Sequence, residues 1–206
     1  MDGNNRWSKK NNVSKYISYK KGANKLLNLS EYLFANTNVS FISAFALSKD
    51  NTNRSQLILK TIKMVLSEGL DNFLNNKKKF DIKFIGDFSF FNNEIKNKIN
   101  RINSISNYNK KLCIFINYSG KQDIEHAAKN FKGSISNFKN NLLTKSLPDP
   151  DLLIRTGGFK RLSNFLLYQI SFTELFFLKK LWPDLTISDL NKILIEYKSI
   201  KRKFGR

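Results

Sequence analysis

Two arginines, Arg155 and Arg161, flank a pair of glycines in the segment RTGGFKRLSN, which spans residues 155 to 164. A guanidinium grips phosphate oxygens through two parallel hydrogen bonds, whereas a lysine acts as a point charge. Glycine lets the backbone approach a ligand closely, and Ser163 adds a hydroxyl donor. The alternative is a surface loop whose arginines form ion pairs. The combination of residue types favours a binding site for a phosphate-bearing molecule.

Two further polar segments could contribute to such a site. MDGNNRW, residues 1 to 7, places a carboxylate, a glycine and two amides ahead of an arginine. These groups could present backbone N–H donors and one charge to a phosphate, although a flexible polar terminus explains this segment better when it is taken alone. SKDNTNR, residues 48 to 54, ends a predicted strand. For this segment, helix capping by Asp50 or Asn51 is an equally good explanation.

The composition restricts the chemistry that these segments can perform. His126 is the only histidine and Cys113 is the only cysteine. This scarcity argues against a Cys/His dyad, a Ser-His-Asp triad and most zinc sites. A single cysteine forms no intrachain disulfide, so a reducing, cytoplasmic compartment is expected. Acid–base or metal chemistry must therefore depend on carboxylates, amides and hydroxyls.

The formal net charge of +20 raises the question of a polyanionic partner. The excess is mostly lysine, scattered together with much asparagine, which is also what an A+T-rich genome would produce through codon bias. The lysines form no single stripe with interleaved aromatic side chains, so no nucleic-acid partner is expected. A basic nucleic-acid-binding protein remains the third hypothesis, and it predicts tight, steeply salt-dependent binding of DNA or RNA.

The elements that must position these residues alternate between helix and strand from about residue 19 onward. The length of 206 residues suits one core, and a single domain over residues 1 to 206 is expected. The predicted helices cover residues 19 to 36, 55 to 74, 92 to 104, 121 to 145 and 187 to 204. The predicted strands cover residues 39 to 47, 80 to 87, 111 to 120, 151 to 156 and 165 to 170.

Strands separated by helices imply right-handed crossovers and an α/β fold with a mainly parallel central sheet flanked by helices. Ligands of such sheets bind outside the carboxyl ends of the strands. The unusual polar segments follow predicted strands, so we expect them to meet at one edge of the sheet. No apolar run approaches the length that is needed to cross a bilayer.

Six segments occur together in an order that resembles a known family. They are MDGNNRW, SKDNTNR, IGD, NYSGKQDI, PDPDLLIRTGGFKRLSNFLLYQ and LWPD. In this order and at this spacing they resemble the motifs of the cis-prenyltransferases, and most closely those of the bacterial undecaprenyl diphosphate synthases. The resemblance covers nearly the whole chain, with a shortened stretch between NYSGKQDI and PDPD. The pattern RTGG-x-x-R-x-SNFLL-x-Q is highly specific, whereas IGD and WPD would mean little alone.

The resemblance implies sequential condensation of isopentenyl diphosphate onto an allylic diphosphate, typically farnesyl diphosphate. Each cycle releases diphosphate and forms a cis double bond. The expected product is a long-chain polyprenyl diphosphate such as undecaprenyl diphosphate, which is the precursor of a lipid carrier for cell-wall glycan synthesis. The resemblance also implies Mg²⁺ as cofactor, a homodimer with FLLYQISFTELFF at its interface, and membrane contact as the product grows.

A growing hydrocarbon requires an apolar tunnel, as the family's fold provides. The amphipathic helix over residues 55 to 74 and the apolar strands beneath it are candidates to line one. The alternative is ordinary core packing, which accounts for most of those side chains.

The family pattern assigns roles to individual residues. Asp2 would hold Mg²⁺ on a diphosphate and help the allylic group leave, and Asn51 matches the amide implicated in proton loss. Glu174 matches an acidic residue linked to Mg²⁺. The residues matched to the allylic diphosphate are Gly3, Asn4, Asn5, Arg6, Trp7 and Arg54, and those matched to isopentenyl diphosphate are Arg155, Arg161 and Ser163. Further substrate-binding positions are filled by Lys15, Tyr19, Ser48, Lys49, Asp50, Thr52 and Leu162.

Four residues depart from the family pattern. Tyr19 stands in place of a histidine, Lys15 in place of an arginine, and Thr52 in place of a tryptophan. Phe159 replaces the glutamate that usually follows RTGG, and it has no polar equivalent. Tyr19 can still donate a hydrogen bond, and Lys15 keeps the positive charge but lacks the planar, two-pronged set of donors that arginine presents. These departures predict weakened or altered catalysis, while the retained Asp2, Asn51, Arg54 and Arg155 argue against an inactive relative.

In the family an apolar strand precedes the MDG motif, and in this sequence that strand is missing upstream of Met1. We expect an in-frame extension before Met1, with a shortened, degraded enzyme as the alternative; sequencing of the native N-terminus distinguishes them. The second functional hypothesis is a non-catalytic subunit of a heteromeric cis-prenyltransferase, although such subunits typically lose the aspartate that is present here as Asp2. Trans-type prenyl synthases are excluded, because they depend on DDxxD helices that the sequence lacks.

Overall fold

The centre of the fold, in this computed structural model, is a three-stranded parallel sheet. Its strands are β1 (Phe41–Ser48), β2 (Asp81–Gly86) and β3 (Lys111–Tyr118), in the order β1-β3-β2. The central position of β3 buries it on both faces, which explains its nearly continuous apolar sequence. The structure describes residues 1–51 and 56–202, apart from the side chains of residues 51, 135 and 136.

Two short strands form a second parallel pair beside this sheet. They are β4 (Leu152–Arg155) and β5 (Glu174–Phe177), with Leu152 opposite Glu174 and Arg155 opposite Phe177. The predicted parallel α/β architecture with flanking helices is therefore confirmed. The strands divide, however, between two separately hydrogen-bonded sheets.

Helices cover the sheets. The α-helices are α1 (Asn4–Lys10), α2 (Lys15–Asn36), α3 (Gln56–Asn75), α4 (Asn93–Ser104), α5 (Gly120–Lys129) and α6 (Ile187–Ser199), and 3-10 helices cover Lys49–Asn51, Ile135–Asn141 and Trp182–Asp184. Side-chain caps fix where α2 and α6 begin: the Ser14 hydroxyl accepts from the Ile17 N–H, and Thr186 and Asp189 form a reciprocal capping box. No helix in the described part of the chain is long and apolar enough to cross a membrane.

The side chains of β3 alternate between two apolar clusters. Leu112, Ile114 and Ile116 face the larger cluster, which also contains residues of α2, α3 and α4, whereas Cys113 and Phe115 face the smaller one. This alternation is the period of two that a strand imposes. The arrangement fixes the strand ends and therefore the loops that follow them.

Several sequence-based boundaries are wrong, for identifiable reasons. Residues 165 to 170, predicted as a strand, form turns, because Ser163, Asn164 and Leu166 adopt positive φ angles of 51°, 63° and 48°. The predicted helix over residues 121 to 145 ends as α5 at Lys129, and Gly133 at φ 105° redirects the chain. Neither the short α1 nor β5 was predicted.

Candidate active site

The loops at the carboxyl ends of β1 and β4 open onto one large cavity of about 2030 Å³. Its polar part is formed by the start of the chain and by the segment after β4. Its apolar part is lined by side chains of α2, β1 and α3, including Leu26, Leu29, Ile42, Ile58 and Ile62. Twelve of the predicted site residues line the cavity: Asp2, Gly3, Asn4, Asn5, Arg6, Tyr19, Ser48, Asp50, Arg155, Arg161, Leu162 and Ser163.

Asp2 is held at the cavity by its backbone. Its N–H donates to Oγ1 of Thr156 over 3.1 Å, and its carbonyl accepts from Oγ1 of Thr156 and from the N–H of Trp182 at 2.9 Å each. The carboxylate lies 3.1 Å from Nη2 of Arg155 and 3.4 Å from Nη2 of Arg6. A carboxylate is thus fixed between two guanidiniums, and its side chain remains 34% exposed.

Arg155 is the centre of the polar part of the cavity. One nitrogen, Nη1, donates to Oγ of Ser163 over 2.7 Å and to the backbone carbonyl of Arg161, while the other, Nη2, donates to Asp2. The side chain is only 14% exposed. Hydrogen bonds on both sides of the planar fork therefore hold the guanidinium in one orientation.

The glycine pair shapes the loop between these residues. Gly157 and Gly158 have φ angles of 92° and 83°, and their N–H groups donate to the carbonyls of Lys180 and Leu178 at 2.8 Å each. A Cβ on Gly157 would lie 2.4 Å from Nη2 of Arg6 and 3.2 Å from Cβ of Asp2. Gly157 therefore leaves the space that Asp2 and Arg6 occupy.

Asn164 links three loops at this edge of the fold, and the sequence did not single it out. Its Nδ2 donates to Oδ2 of Asp50 over 3.2 Å and to Oγ of Ser119 over 2.8 Å. Its Oδ1 accepts from the Lys121 N–H, and its carbonyl accepts from the Gly120 N–H, both at 2.8 Å. Asn164 adopts the left-handed conformation, which asparagine tolerates better than most residues. The sequence signal for its role is therefore an asparagine that directly precedes an apolar run.

Replacing Asn164 with alanine should lower the free energy of unfolding by about 1–3 kcal/mol, because it removes a part-buried hydrogen bond to Ser119 and an exposed one from Lys121. Activity should fall as well, since the loops after β1 and β4 lose their bridge. Urea unfolding and steady-state kinetics measure the two effects. Asn130→Ala is the matched control, because the Asn130 amide caps α5 and does not line the cavity. Equal stability and activity in the two variants would count against the bridge.

Four predicted site residues, Trp7, Lys15, Lys49 and Glu174, are not among the residues that line the cavity. The Trp7 indole N–H donates to Asp184 over 2.7 Å, and its ring is buried, so Trp7 anchors α1. Lys15 lies at the start of α2 and lines a separate cavity of about 550 Å³. The Lys49 ammonium lies 3.7 Å from the Asp87 carboxylate.

Glu174 is the fourth of these residues. It begins β5 opposite Leu152, whereas Arg155 lies at the other end of β4. Leu152 and Arg155 are three residues apart, and three residue steps along a strand span about 10 Å. Glu174 and Asp2 therefore do not meet within one chain.

Three further predictions lie on residues that the structure does not describe. Thr52 and Arg54 fall in the gap between residues 51 and 56, and for Asn51 only the backbone, in the 3-10 helix Lys49–Asn51, is described. These assignments stay predictions.

The side chains of the site suit the binding of anions, and Cys113 does not supply a reactive thiol. Burial raises the pKa of the Cys113 thiol to about 11, so this side chain is protonated and unreactive at neutral pH. Within residues 1–51 and 56–202, no cluster of three or more histidine, cysteine or carboxylate side chains could hold a metal. Asp2 is one carboxylate beside several cations, a donor set that suits a cation only together with ligand phosphates.

The strand-end loops of this parallel α/β fold join an arginine-rich mouth to a large cavity with an apolar wall. A family model described as "Putative undecaprenyl diphosphate synthase" matches residues 1–205. The chain belongs to this family, the cis-prenyltransferases, and it is a prenyl transferase. The predicted family and the predicted enzyme class are thereby confirmed.

Similar proteins cover the chain along its whole length. A tritrans,polycis-undecaprenyl-diphosphate synthase (geranylgeranyl-diphosphate specific) of Pyrobaculum aerophilum is 35% identical over 100% of this chain and 93% of its own. An isoprenyl transferase of Rickettsia typhi is 36% identical over 100% of this chain and 95% of its own.

Solved structures agree with these sequence matches. Lavandulyl diphosphate synthase from Lavandula x intermedia, in complex with dimethylallyl diphosphate, superposes with a TM-score of 0.89 at 27% identity, covering 100% of this chain and 95% of that one. A probable undecaprenyl diphosphate synthase from Campylobacter jejuni superposes with a TM-score of 0.76 at 29% identity, covering 90% and 92%.

Proposed function

We propose that this enzyme lengthens an allylic diphosphate by repeated addition of isopentenyl diphosphate and forms a cis double bond at each step. The observation that carries the proposal is the Asp2–Arg155 pair at the mouth of a cavity with an apolar wall. Charged headgroups and a hydrocarbon chain can therefore be bound side by side in one continuous space.

The size of the cavity supports a long product. Its volume of about 2030 Å³ exceeds the ~300–1,000 Å³ of a typical small-molecule pocket. Apolar side chains of α2, β1 and α3 line it, as a tunnel for a growing polyprenyl chain requires. We propose undecaprenyl diphosphate as a product of suitable length and farnesyl diphosphate as the primer.

The residues around Arg155 suit the binding of isopentenyl diphosphate. Arg155, Arg161 and Ser163 offer guanidinium and hydroxyl donors within one loop. The segment Gly3–Arg6 lines the same cavity and is proposed to bind the allylic diphosphate. The two diphosphates would then lie on either side of Asp2, whose backbone is fixed by Thr156 and Trp182.

In each cycle the allylic C–O bond breaks and diphosphate leaves with the bonding electrons. The double bond of isopentenyl diphosphate forms the new carbon–carbon bond, and loss of a proton generates the new cis double bond. Arginine side chains that are already in place stabilise the negative charge of the departing group without reorganisation of water. Asn51 and Arg54 are proposed to assist proton loss and diphosphate binding, respectively, as the family pattern implies.

Mg²⁺ fits the proposed site. Magnesium in proteins is usually held by one or two carboxylates together with substrate phosphates and water, and Asp2 supplies one carboxylate. Bound Mg²⁺ would neutralise charge on the leaving diphosphate. Glu174 of the same chain is not proposed as a partner of Asp2, because it begins β5 at the far end of the strand pair.

A homodimer is proposed as the working assembly. The segment around β5 exposes large apolar side chains, with Tyr168 at 42%, Phe172 at 60% and Leu175 at 43% exposure. Burial of these side chains between two copies would remove apolar surface from water. Membrane contact through the growing hydrocarbon product is proposed on the same physical basis.

The direct test is an assay of the purified protein with Mg²⁺, labelled isopentenyl diphosphate and one primer at a time. We expect incorporation of label into long polyprenyl diphosphates with farnesyl diphosphate, and none after chelation of Mg²⁺. Dimethylallyl and geranylgeranyl diphosphates are the comparison primers. Failure to incorporate label with every primer would contradict the proposal, and activity restored only by a second, different chain would instead indicate a subunit of a heteromer.

A further inference from the structure

Phe159 lies among three guanidiniums at the polar mouth of the cavity. The ring centroid is 4.2 Å from Cζ of Arg161, 4.9 Å from Cζ of Arg6 and 5.8 Å from Cζ of Arg155. The ring is 40% exposed and lines the cavity. One aromatic side chain thus contacts both the segment assigned to the allylic diphosphate and the loop assigned to isopentenyl diphosphate.

The ring holds cations without removing their charge. The negative face of an aromatic ring attracts a guanidinium, and the guanidinium keeps its hydrogen-bond donors for a ligand. Arg6 and Arg155 also pair with Asp2, whereas no carboxylate in the described part of the chain pairs with Arg161. Among the described residues, the Phe159 ring lies 4.2 Å from Cζ of Arg161 and is in a position to orient that side chain.

A carboxylate at this position would act differently. The glutamate that usually follows RTGG in the family would neutralise one positive charge beside the site. Phenylalanine instead leaves Asp2 paired with two of the three arginines, Arg6 and Arg155, and adds no negative charge beside Arg161, so the mouth stays positive. Phenylalanine at residue 159, in place of glutamate, therefore does not neutralise the positive charges of the neighbouring arginines.

We propose that Phe159 is a positioning residue, which orients the guanidiniums of Arg161 and Arg6 for a diphosphate and preserves their full charge. The proposal rests on the diphosphate-binding function proposed above. It predicts that the aromatic face, and not merely an apolar side chain, sets the affinity for isopentenyl diphosphate.

Calorimetric titration with inorganic pyrophosphate, and with isopentenyl diphosphate in the absence of primer, tests the proposal. Phe159→Leu should weaken binding of both anions by about 5- to 10-fold, because it loses the cation–π contacts. Phe159→Trp should restore the affinity. Phe159→Glu should bind most weakly and show a shallower dependence of affinity on salt, since one positive charge is cancelled.

Steady-state kinetics provides a second readout. Phe159→Leu should raise KM for isopentenyl diphosphate while kcat changes little, because the proposed role of the ring is to orient the arginines that bind the diphosphate. Phe90→Leu is the matched control, since Phe90 makes a cation–π contact with Lys63, 5.3 Å from the ring centroid, and does not line the cavity. Thermal unfolding confirms that each variant folds, and if Phe159→Leu does not fold, the Trp and Glu variants carry the comparison.

The outcomes separate this inference from the proposed function. Binding of both anions by the wild-type protein, with equal affinity in the Leu, Trp and Glu variants, would overturn the role of Phe159 alone. Absence of binding in the wild-type protein would overturn the diphosphate site itself. Weaker binding in the Leu variant, together with wild-type affinity in the Trp variant, supports both the role of Phe159 and the diphosphate site.

Discussion

Replacing Asp2 with asparagine is expected to lower kcat by about 10²- to 10³-fold, the range seen when one group that stabilises transition-state charge is removed. The substitution keeps the size of the side chain and removes its negative charge. Arg6 and Arg155 then lose their shared carboxylate, and the proposed holder of Mg²⁺ is lost with it. Incorporation of labelled isopentenyl diphosphate measures the effect.

The structure makes this a test of charge and not of loop position. The hydrogen bonds from Thr156 and Trp182 reach the backbone of residue 2, so they persist whatever the side chain is. The melting temperature should therefore stay close to that of the wild type. Asp71→Asn is the matched control, because it breaks an exposed ion pair with Lys98 and does not line the cavity. Wild-type turnover in Asp2→Asn would exclude this carboxylate from the reaction.

Gly157→Ala should lower kcat/KM by about 100-fold, because displacement of a positioned group by about 1 Å can cost that much. The added methyl group would lie 2.4 Å from Nη2 of Arg6 and 3.2 Å from Cγ of Asp2. The Arg6 guanidinium is the end of a flexible side chain, so it can move aside. The damage should therefore fall on ligand binding more than on folding, and kinetics with each substrate varied in turn measures it.

Gly158→Ala separates the steric effect from backbone strain. Gly158 has φ 83°, close to the 92° of Gly157, so alanine is strained at both positions. A methyl group on Gly158 would meet nothing nearer than Cα of Lys179 at 3.9 Å. Both variants should lose similar stability, and only Gly157→Ala should lose most of its activity. Equal losses of activity would mean that strain, and not the crowding of Arg6 and Asp2, accounts for the effect.

The sequence predicted most of the elements because their patterns are local. The apolar run of β3 and the periodicity of α3 and α4 identified these elements, and the rule that ligands collect at strand ends placed the polar segments together. The pattern failed at residues 165 to 170, where strand-forming side chains lie on turns. The left-handed angles at Ser163, Asn164 and Leu166 are sustained by tertiary contacts, such as the stacking of Phe165 on Phe45 at 4.5 Å.

The candidate site was predicted as a set of residue types and only partly as a set of neighbours. The arginines and Ser163 were identified because their chemistry suits phosphate binding, whereas Asp2 was assigned through the family resemblance. The sequence could not show that Trp7 would satisfy its N–H with Asp184, or that Lys49 would lie beside Asp87. Both partners are far away in sequence, and no periodic signal connects them.

The sequence by itself therefore determined the family, the parallel α/β fold and the kind of chemistry. Tertiary structure decided which side chains share the cavity. Asp2 meets Arg155 across a separation of 153 residues, because hydrogen bonds from Thr156 and Trp182 bring the start of the chain to the end of β4. Glu174 is kept from Asp2 by the register of β5 against β4. Residue type specifies what a side chain can bind, whereas its direction depends on long-range contacts that form only when the chain has folded.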